Sequence, residues 1–333
     1  MELFFNYLFA ILQPFSKDGW RIISLISLFF FFKNWNSWKK DKLILSILLF
    51  LAYGTIISFF SEYKSDSFKD MSNYFVGWFL SFLMGYAVTE TKDKLKLLKC
   101  YVFVFMFTLF LGFLAYFHII PRRIGFLHLI EYGRLIVFDG GPELGARCNF
   151  VIIPCLVLLL FYKNIKQNII ISLIALYFTY ALLLSGTRNC YISLFLTFLF
   201  IFFFYMYKRK TVFKGICILS VLILCFTATY LFNANIKKRI SNTNLKTESS
   251  IVERLEIYKF GLQLLKEKPI FGHIPKVAIH RQENINSLPH FHDIYLNTFV
   301  DFGIIGLILF LIIIYNIFKR LIILYMILLK VIV

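Results

Sequence analysis

Long apolar blocks broken by short basic clusters set the pattern of this chain. A membrane-spanning helix needs about 20 mostly apolar residues. Blocks of that kind lie near 1–13, 19–33, 43–61, 72–89, 100–119, 147–162, 168–186, 190–207, 213–233, 293–318 and 321–333. The pattern predicts an all-α, polytopic helical integral membrane protein of about eleven spans. It divides into a transmembrane bundle over 1–233, a large loop at 234–292 and C-terminal transmembrane helices over 293–333. Met1–Leu12 carries no Lys or Arg ahead of its apolar run, and no small-residue cleavage site follows, so this segment is expected to be retained.

Composition agrees with this reading and removes the soluble alternative. Of 333 residues, 59% are hydrophobic and only 16% charged, whereas a soluble domain carries about 25% charged residues. The net charge of +18 would suggest nucleic acid in a soluble domain, but here the excess follows the spans. With the N-terminus inside, the inner loops hold Lys33, Lys39, Lys40 and Lys42, then Lys92, Lys94, Lys96 and Lys99. Further along they hold Lys163 and Lys166, Lys208 to Lys210 with Lys214, and a turn at Lys319–Arg320. The short outer loops carry only Lys17, Lys64 and Lys69, balanced by Asp18, Glu62, Asp66 and Asp70. This is the asymmetry of a chain oriented by its positive inner loops, so membrane lipid and not nucleic acid is the expected partner.

Two outer segments break that rule. Residues 120–147 contain Arg122, Arg123, Arg134 and Arg147 against Glu131, Asp139 and Glu143. Residues 234–292 contain ten Lys and Arg against five Glu, with His273, His280, His290 and His292. Either long loops cross regardless of charge, or these loops hold an anionic ligand. The larger loop is not a plain linker. Ser250-Ile251-Val252-Glu253 has capping-box spacing and opens a predicted helix that Pro269 stops. Its apolar positions Ile251, Leu255, Tyr258, Leu262 and Leu265 predict one packed or interfacial face. Arg254 is expected in the first turn, a poor place for a cation unless an anion is bound there.

The break Ser185-Gly186-Thr187-Arg188-Asn189 separates two apolar spans at the outer boundary. Arg188 reads either as a snorkelling interfacial arginine or, with donors from Ser185, Thr187 and Asn189, as a cradle for an oxyanion. His290-Phe291-His292-Asp293 stands where the large loop re-enters the membrane. A histidine beside a carboxylate there can serve as a general base or as a hydrogen-bonded interfacial group. No third ligand at metal spacing accompanies the two histidines, so no metal is expected. Cys100, Cys148, Cys155, Cys190, Cys217 and Cys225 read as buried small hydrophobes, with a Cys148–Cys190 disulfide as the alternative. No phosphate-binding or dinucleotide glycine motif is present, and no cofactor is expected. Arg188, Arg254 and His292 come from separate segments, yet all fall at the outer face. Two guanidiniums can clamp a diphosphate while an imidazole works beside it.

At these residues the chain resembles the O-antigen ligase and polymerase family of bacterial envelope glycosyltransferases. Leu184-Ser185-Gly186-Thr187-Arg188-Asn189 is similar to that family's Ser-Gly-Ser/Thr-Arg-Gly break, with Asn189 in place of the usual small residue. Arg254 with Glu267-Lys268-Pro269-Ile270-Phe271-Gly272 resembles its arginine followed by a helix and Pro-hydrophobic-hydrophobic-Gly. His292-Asp293-Ile294-Tyr295-Leu296, then Asp301-Phe302-Gly303-Ile304-Ile305-Gly306, resembles its His-Asn-x-x-Leu and acid-x-Gly-x-x-Gly blocks, with Asp293 replacing the asparagine.

The resemblance implies a GT-C-like fold whose active site lies on the periplasmic face of the bacterial inner membrane. It implies an inverting, metal-independent transfer from an undecaprenyl-diphosphate-linked glycan, with His292 catalytic, Arg188 and Arg254 on the diphosphate, and Ser185, Thr187, Asp293 and His290 supporting. An O-antigen ligase would pass the glycan to a sugar hydroxyl of lipid A–core, and an O-antigen polymerase to another lipid-linked repeat unit. A lipid-linked oligosaccharide transporter is the alternative from another class. Transporters place ionisable groups near the midplane, whereas here Asp301 is the main interior charge and no repeated half is seen.

Overall fold

The computed structural model describes residues 7–8, 25, 28, 32–33, 35–83, 86, 94–124, 127–131, 133–137, 140–161, 164–209, 213–232, 249–273, 291 and 293–332. Most of the first two predicted spans, and the large loop apart from residues 249–273 and 291, lie beyond the described residues. The helices are α1 (Lys42–Ser58), α2 (Lys64–Ser72), α3 (Lys94–Tyr116), α4 (Gly141–Phe161), α5 (Ile165–Ser185), α6 (Arg188–Arg209), α7 (Phe213–Phe232), α8 (Ser249–Glu267) and α9 (Ile294–Ile332). A wider, π-type stretch at Asn73–Phe79 continues α2. Four helical stretches, Lys96–Tyr116, Pro142–Leu160, Ile165–Ser185 and Ile294–Arg320, are long and apolar enough to cross a membrane, and Lys42–Ser58 and Arg188–Phe203 are shorter apolar helices. Phe103, Phe200 and Phe60 are 72%, 73% and 79% exposed. In water such surfaces would drive association, but in lipid they meet their own kind. The chain is thus a helical membrane protein.

The chain forms two compact units, Met1–Trp20 with Lys92–Thr243, and Arg21–Thr91 with Asn244–Val333. In the first, α4 packs along α5 and α6. The core gathers Phe105, Leu109, Cys148, Ile152, Phe178, Leu182 and Phe198. Residues 120–147 were expected only as a loop. Part of this segment instead folds into two small antiparallel hairpins, β1 (Arg123–Ile124) with β2 (Leu127–His128) and β3 (Ile130–Glu131) with β4 (Arg134–Leu135). Cys100, Cys148, Cys155, Cys190 and Cys217 are free thiols, so the alternative Cys148–Cys190 disulfide is absent.

In the second unit α1 packs on α9, and α8 docks on α9. Asp41 caps α1 by accepting from the Leu43 N–H at 2.8 Å. The same carboxylate accepts from Tyr86 Oη at 2.7 Å and pairs with the Arg320 guanidinium. Burial pushes the Asp41 carboxyl up, but these donors outweigh it and hold it below the ordinary carboxylate range. Arg320 was expected in a turn between two spans, and that expectation is corrected. The helix continues through Lys319 and Arg320 to Ile332, because both are good helix formers and neither Gly nor Pro follows Gly306 in the apolar run.

The break in α9 comes earlier, at Gly303, with φ 65° and ψ −168°, a region essentially closed to other residues. Opening the helix there frees backbone groups, and the end of α8 takes them. Ile304 N–H donates to Pro269 O at 2.9 Å, and His273 N–H donates to Val300 O at 2.7 Å. Gly272, at φ 74°, approaches so closely that a methyl would lie 2.6 Å from Asp301 O, and a methyl on Gly303 would collide with the Ile270 carbonyl. The Pro-hydrophobic-hydrophobic-Gly and acid-x-Gly blocks are therefore the two halves of one backbone joint. Gly303→Ala is expected to cost about 1–3 kcal/mol from backbone strain alone. It should lower the melting temperature of the purified protein and open α8 to protease. An unchanged melting curve would show that the joint is not held at this residue.

Candidate active site

The Ser185–Asn189 break is built by backbone chemistry. Gly186 adopts φ 65° as the left-handed cap of α5 and donates its N–H to Leu183 O at 3.1 Å. Thr187 then opens α6, its carbonyl accepting from the Cys190 N–H at 3.1 Å. Ser185 is fully buried, and its hydroxyl donates to Leu182 O at 2.7 Å beside Thr187 Oγ1 at 3.1 Å. Ser185 had been expected among the donors facing an oxyanion, but its one proton is engaged inside the break. The effect is to fix the reversal from α5 to α6.

Arg188 is the first residue of α6, half-buried, with Asn189 exposed beside it. The start of α6 is clamped to the start of α4. Asn149, itself buried, donates from Nδ2 to Cys190 O at 2.9 Å, and Gly145 lies against Cys190 and Thr187. Arg188 therefore sits on a rigid corner, near the N–H end of a helix, where anions are favoured.

The charge of Arg188 reaches a group not singled out from sequence. Arg134, on β4, pairs in register with Glu131. Its burial and the positive charge of Arg188 pull the Arg134 guanidinium below its ordinary pKa, against Glu131 and Tyr191, which act the other way. The sequence offered one signal for the hairpin, Gly133 between the apolar pairs Leu129–Ile130 and Leu135–Ile136, and Gly133 does take φ 70°.

In the second unit, α8 begins at Ser249, one residue before the expected cap. Arg254 is consequently the sixth helical residue, exposed, and not in the first turn. The buried face of α8 also differs from the expected one. Ile257 and Leu264 are buried with Phe291 and Val300, while Leu255 and Leu262 are 54% and 55% exposed. The reason is Gly261, which lets Phe291 and Leu296 approach to 3.1 Å of where a side chain would begin. The helix consequently packs along its glycine.

His290 and His292 lie outside the described residues. Their neighbours are well placed, since Phe291 is buried against Phe260. Asp293 accepts from the Leu296 N–H at 2.8 Å and so caps α9. Further along α9, the buried Asp301 accepts from Asn297 Nδ2 at 3.0 Å, so this interior acid is satisfied within one turn of its own helix.

The structure thus gathers Ser185, Thr187 and Arg188 at one corner of the first unit, with Arg134 on β4 in the same unit. It places Arg254 and Asp293 on the two packed helices α8 and α9 of the second. No curated protein matches the chain. Residues 170–311, from within α5 to within α9 and including every expected site residue, match the family model described as O-antigen ligase. That match supports placing the chain in the O-antigen ligase and polymerase family.

Proposed function

We propose that the chain is an O-antigen ligase, transferring a glycan from undecaprenyl diphosphate to a sugar hydroxyl of lipid A–core at the periplasmic face of the inner membrane. The observation that carries this reading is the family match over 170–311, which contains Arg188, Arg254 and His292 in the order the family's blocks require. Members of the family are glycosyltransferase-like enzymes, and the family includes both ligases and polymerases.

In the proposed step the acceptor hydroxyl oxygen attacks the anomeric carbon of the donor glycan. Its proton passes to His292, and the bond from that carbon to the diphosphate oxygen breaks. Undecaprenyl diphosphate leaves with the electron pair. Single displacement inverts the anomeric centre. Arg188 and Arg254 act where charge develops, since preorganised cations stabilise a departing oxyanion most in a site with little water. His292 acts at the other end of the reaction, on the nucleophile, where a group titrating near neutral pH is most effective.

Deletion of the gene followed by analysis of lipopolysaccharide tests the ligase reading. Loss of all polymer from lipid A–core, with polymer retained on the carrier lipid, is the expected result. A single repeat unit left on the core would instead identify a polymerase.

A further inference from the structure

His273 has no part in the step above, yet it is only 1% exposed in the joint between α8 and α9. It bonds to both helices. Its backbone N–H donates to Val300 O on α9 at 2.7 Å. Its imidazole Nε2–H donates to Leu264 O on α8, also at 2.7 Å. Glu267 Oε2 stands 3.7 Å from the same nitrogen, beyond hydrogen-bond reach, so the carbonyl holds that proton.

Both acceptors are left short by the way the helices end. In an unbroken helix Val300 O would accept from Ile304 N–H, but the Gly303 break sends that N–H to Pro269 O. Leu264 lies in the last turn of α8, where carbonyls lose their helical donors, and Lys268 N–H reaches it at 3.3 Å. Leu264 and Val300 are also buried together, in one cluster with Ile257 and Phe291. His273 therefore joins, through their carbonyls, two residues of a single packed contact. Buried carbonyls are costly to leave without donors, so the imidazole holds the two helices in this register.

The two helices carry groups of the proposed reaction. Arg254 is on α8. Phe291, one residue before His292, packs against Phe260 of α8, and Asp293, one residue after, caps α9. The α8–α9 register thus sets where Arg254 stands relative to the chain on both sides of His292.

Resting on the reading of Arg254 as a donor ligand and His292 as the base, we propose that His273 is a positioning residue for transfer. It fixes the α8–α9 register from inside the joint and touches neither substrate.

The test uses the full chain in liposomes, with an undecaprenyl-diphosphate-linked glycan and lipid A–core as substrates. His273→Leu keeps a buried apolar side chain but donates nothing, whereas His273→Gln keeps an N–H near the position of Nε2. Misplacing catalytic groups by about 1 Å can cost about 10²-fold in rate. His273→Leu is therefore expected to lower kcat at least about tenfold while KM for the donor changes less than about threefold. His273→Gln should recover most of that loss. A lower melting temperature with unchanged kcat would make His273 a fold element only and overturn the proposal. A glutamine variant no better than leucine would overturn it too. Should His273→Leu fail to fold, His273→Asn takes its place, because its shorter amide falls short of Leu264 O. Equal kcat for the Asn and Gln variants would then overturn the proposal, and a faster Gln variant would support it. If the parent transfers glycan and all these variants match it, the proposal alone falls. If the parent transfers nothing, the reading it rests on falls with it.

Discussion

Arg188→Lys is expected to remove most of the transfer activity although it keeps the positive charge. The corner that carries Arg188 is fixed by the left-handed Gly186 cap, the Thr187 start of α6 and the Asn149 bond to Cys190. A guanidinium projected from so rigid a corner meets its ligand with little entropy left to lose. Lysine puts a point charge on a flexible stem and cannot reproduce a two-pronged phosphate contact. Losing one charge-assisted hydrogen bond costs about 1.5–3 kcal/mol, or roughly ten- to a hundredfold in rate. Arg188→Ala, which removes the charge as well, should cost about 10²–10³-fold. The check is the initial rate of glycan transfer at matched protein levels. A lysine variant with full activity would remove Arg188 from the mechanism and leave it as an interfacial arginine.

His292→Ala is expected to abolish turnover while binding of the lipid donor survives. A sugar hydroxyl is a poor nucleophile at neutral pH, and general-base removal of its proton contributes about 10²–10⁴-fold. A histidine that only bound the diphosphate would instead lose affinity and turnover together, so measuring both separates the roles. His290→Ala should be the milder change. If His290→Ala is the inactive variant, or His292→Ala keeps near-normal transfer, the base has been assigned to the wrong residue.

The helices were legible because a long apolar block in lipid has few ways to satisfy its own backbone. The predicted spans at 43–61, 100–119, 147–162, 168–186, 190–207 and 213–233 coincide with α1 and α3 to α7 for that reason. What periodicity could not reveal is where two segments meet. The Leu255 and Leu262 stripe on α8 looked like a packing face, but the helix turns its Gly261 side inward because only there can Phe291 come close. The Gly303 joint was visible only as a glycine in a familiar block. Its partner, the end of α8, lies some 30 residues earlier, beyond the reach of any local pattern. Arg134 was hidden for a related reason. Two-residue strands carry too few positions for alternation to show, so the arginine counted only as loop charge until the register placed it on β4 opposite Glu131.

The account depends most directly on one reaction. The purified chain, reconstituted in liposomes, is given an undecaprenyl-diphosphate-linked glycan and lipid A–core, and products are followed by gel and mass spectrometry. The account predicts that lipid A–core gains the glycan in step with release of undecaprenyl diphosphate. Recovery of the donor intact, with the acceptor unmodified, would contradict it.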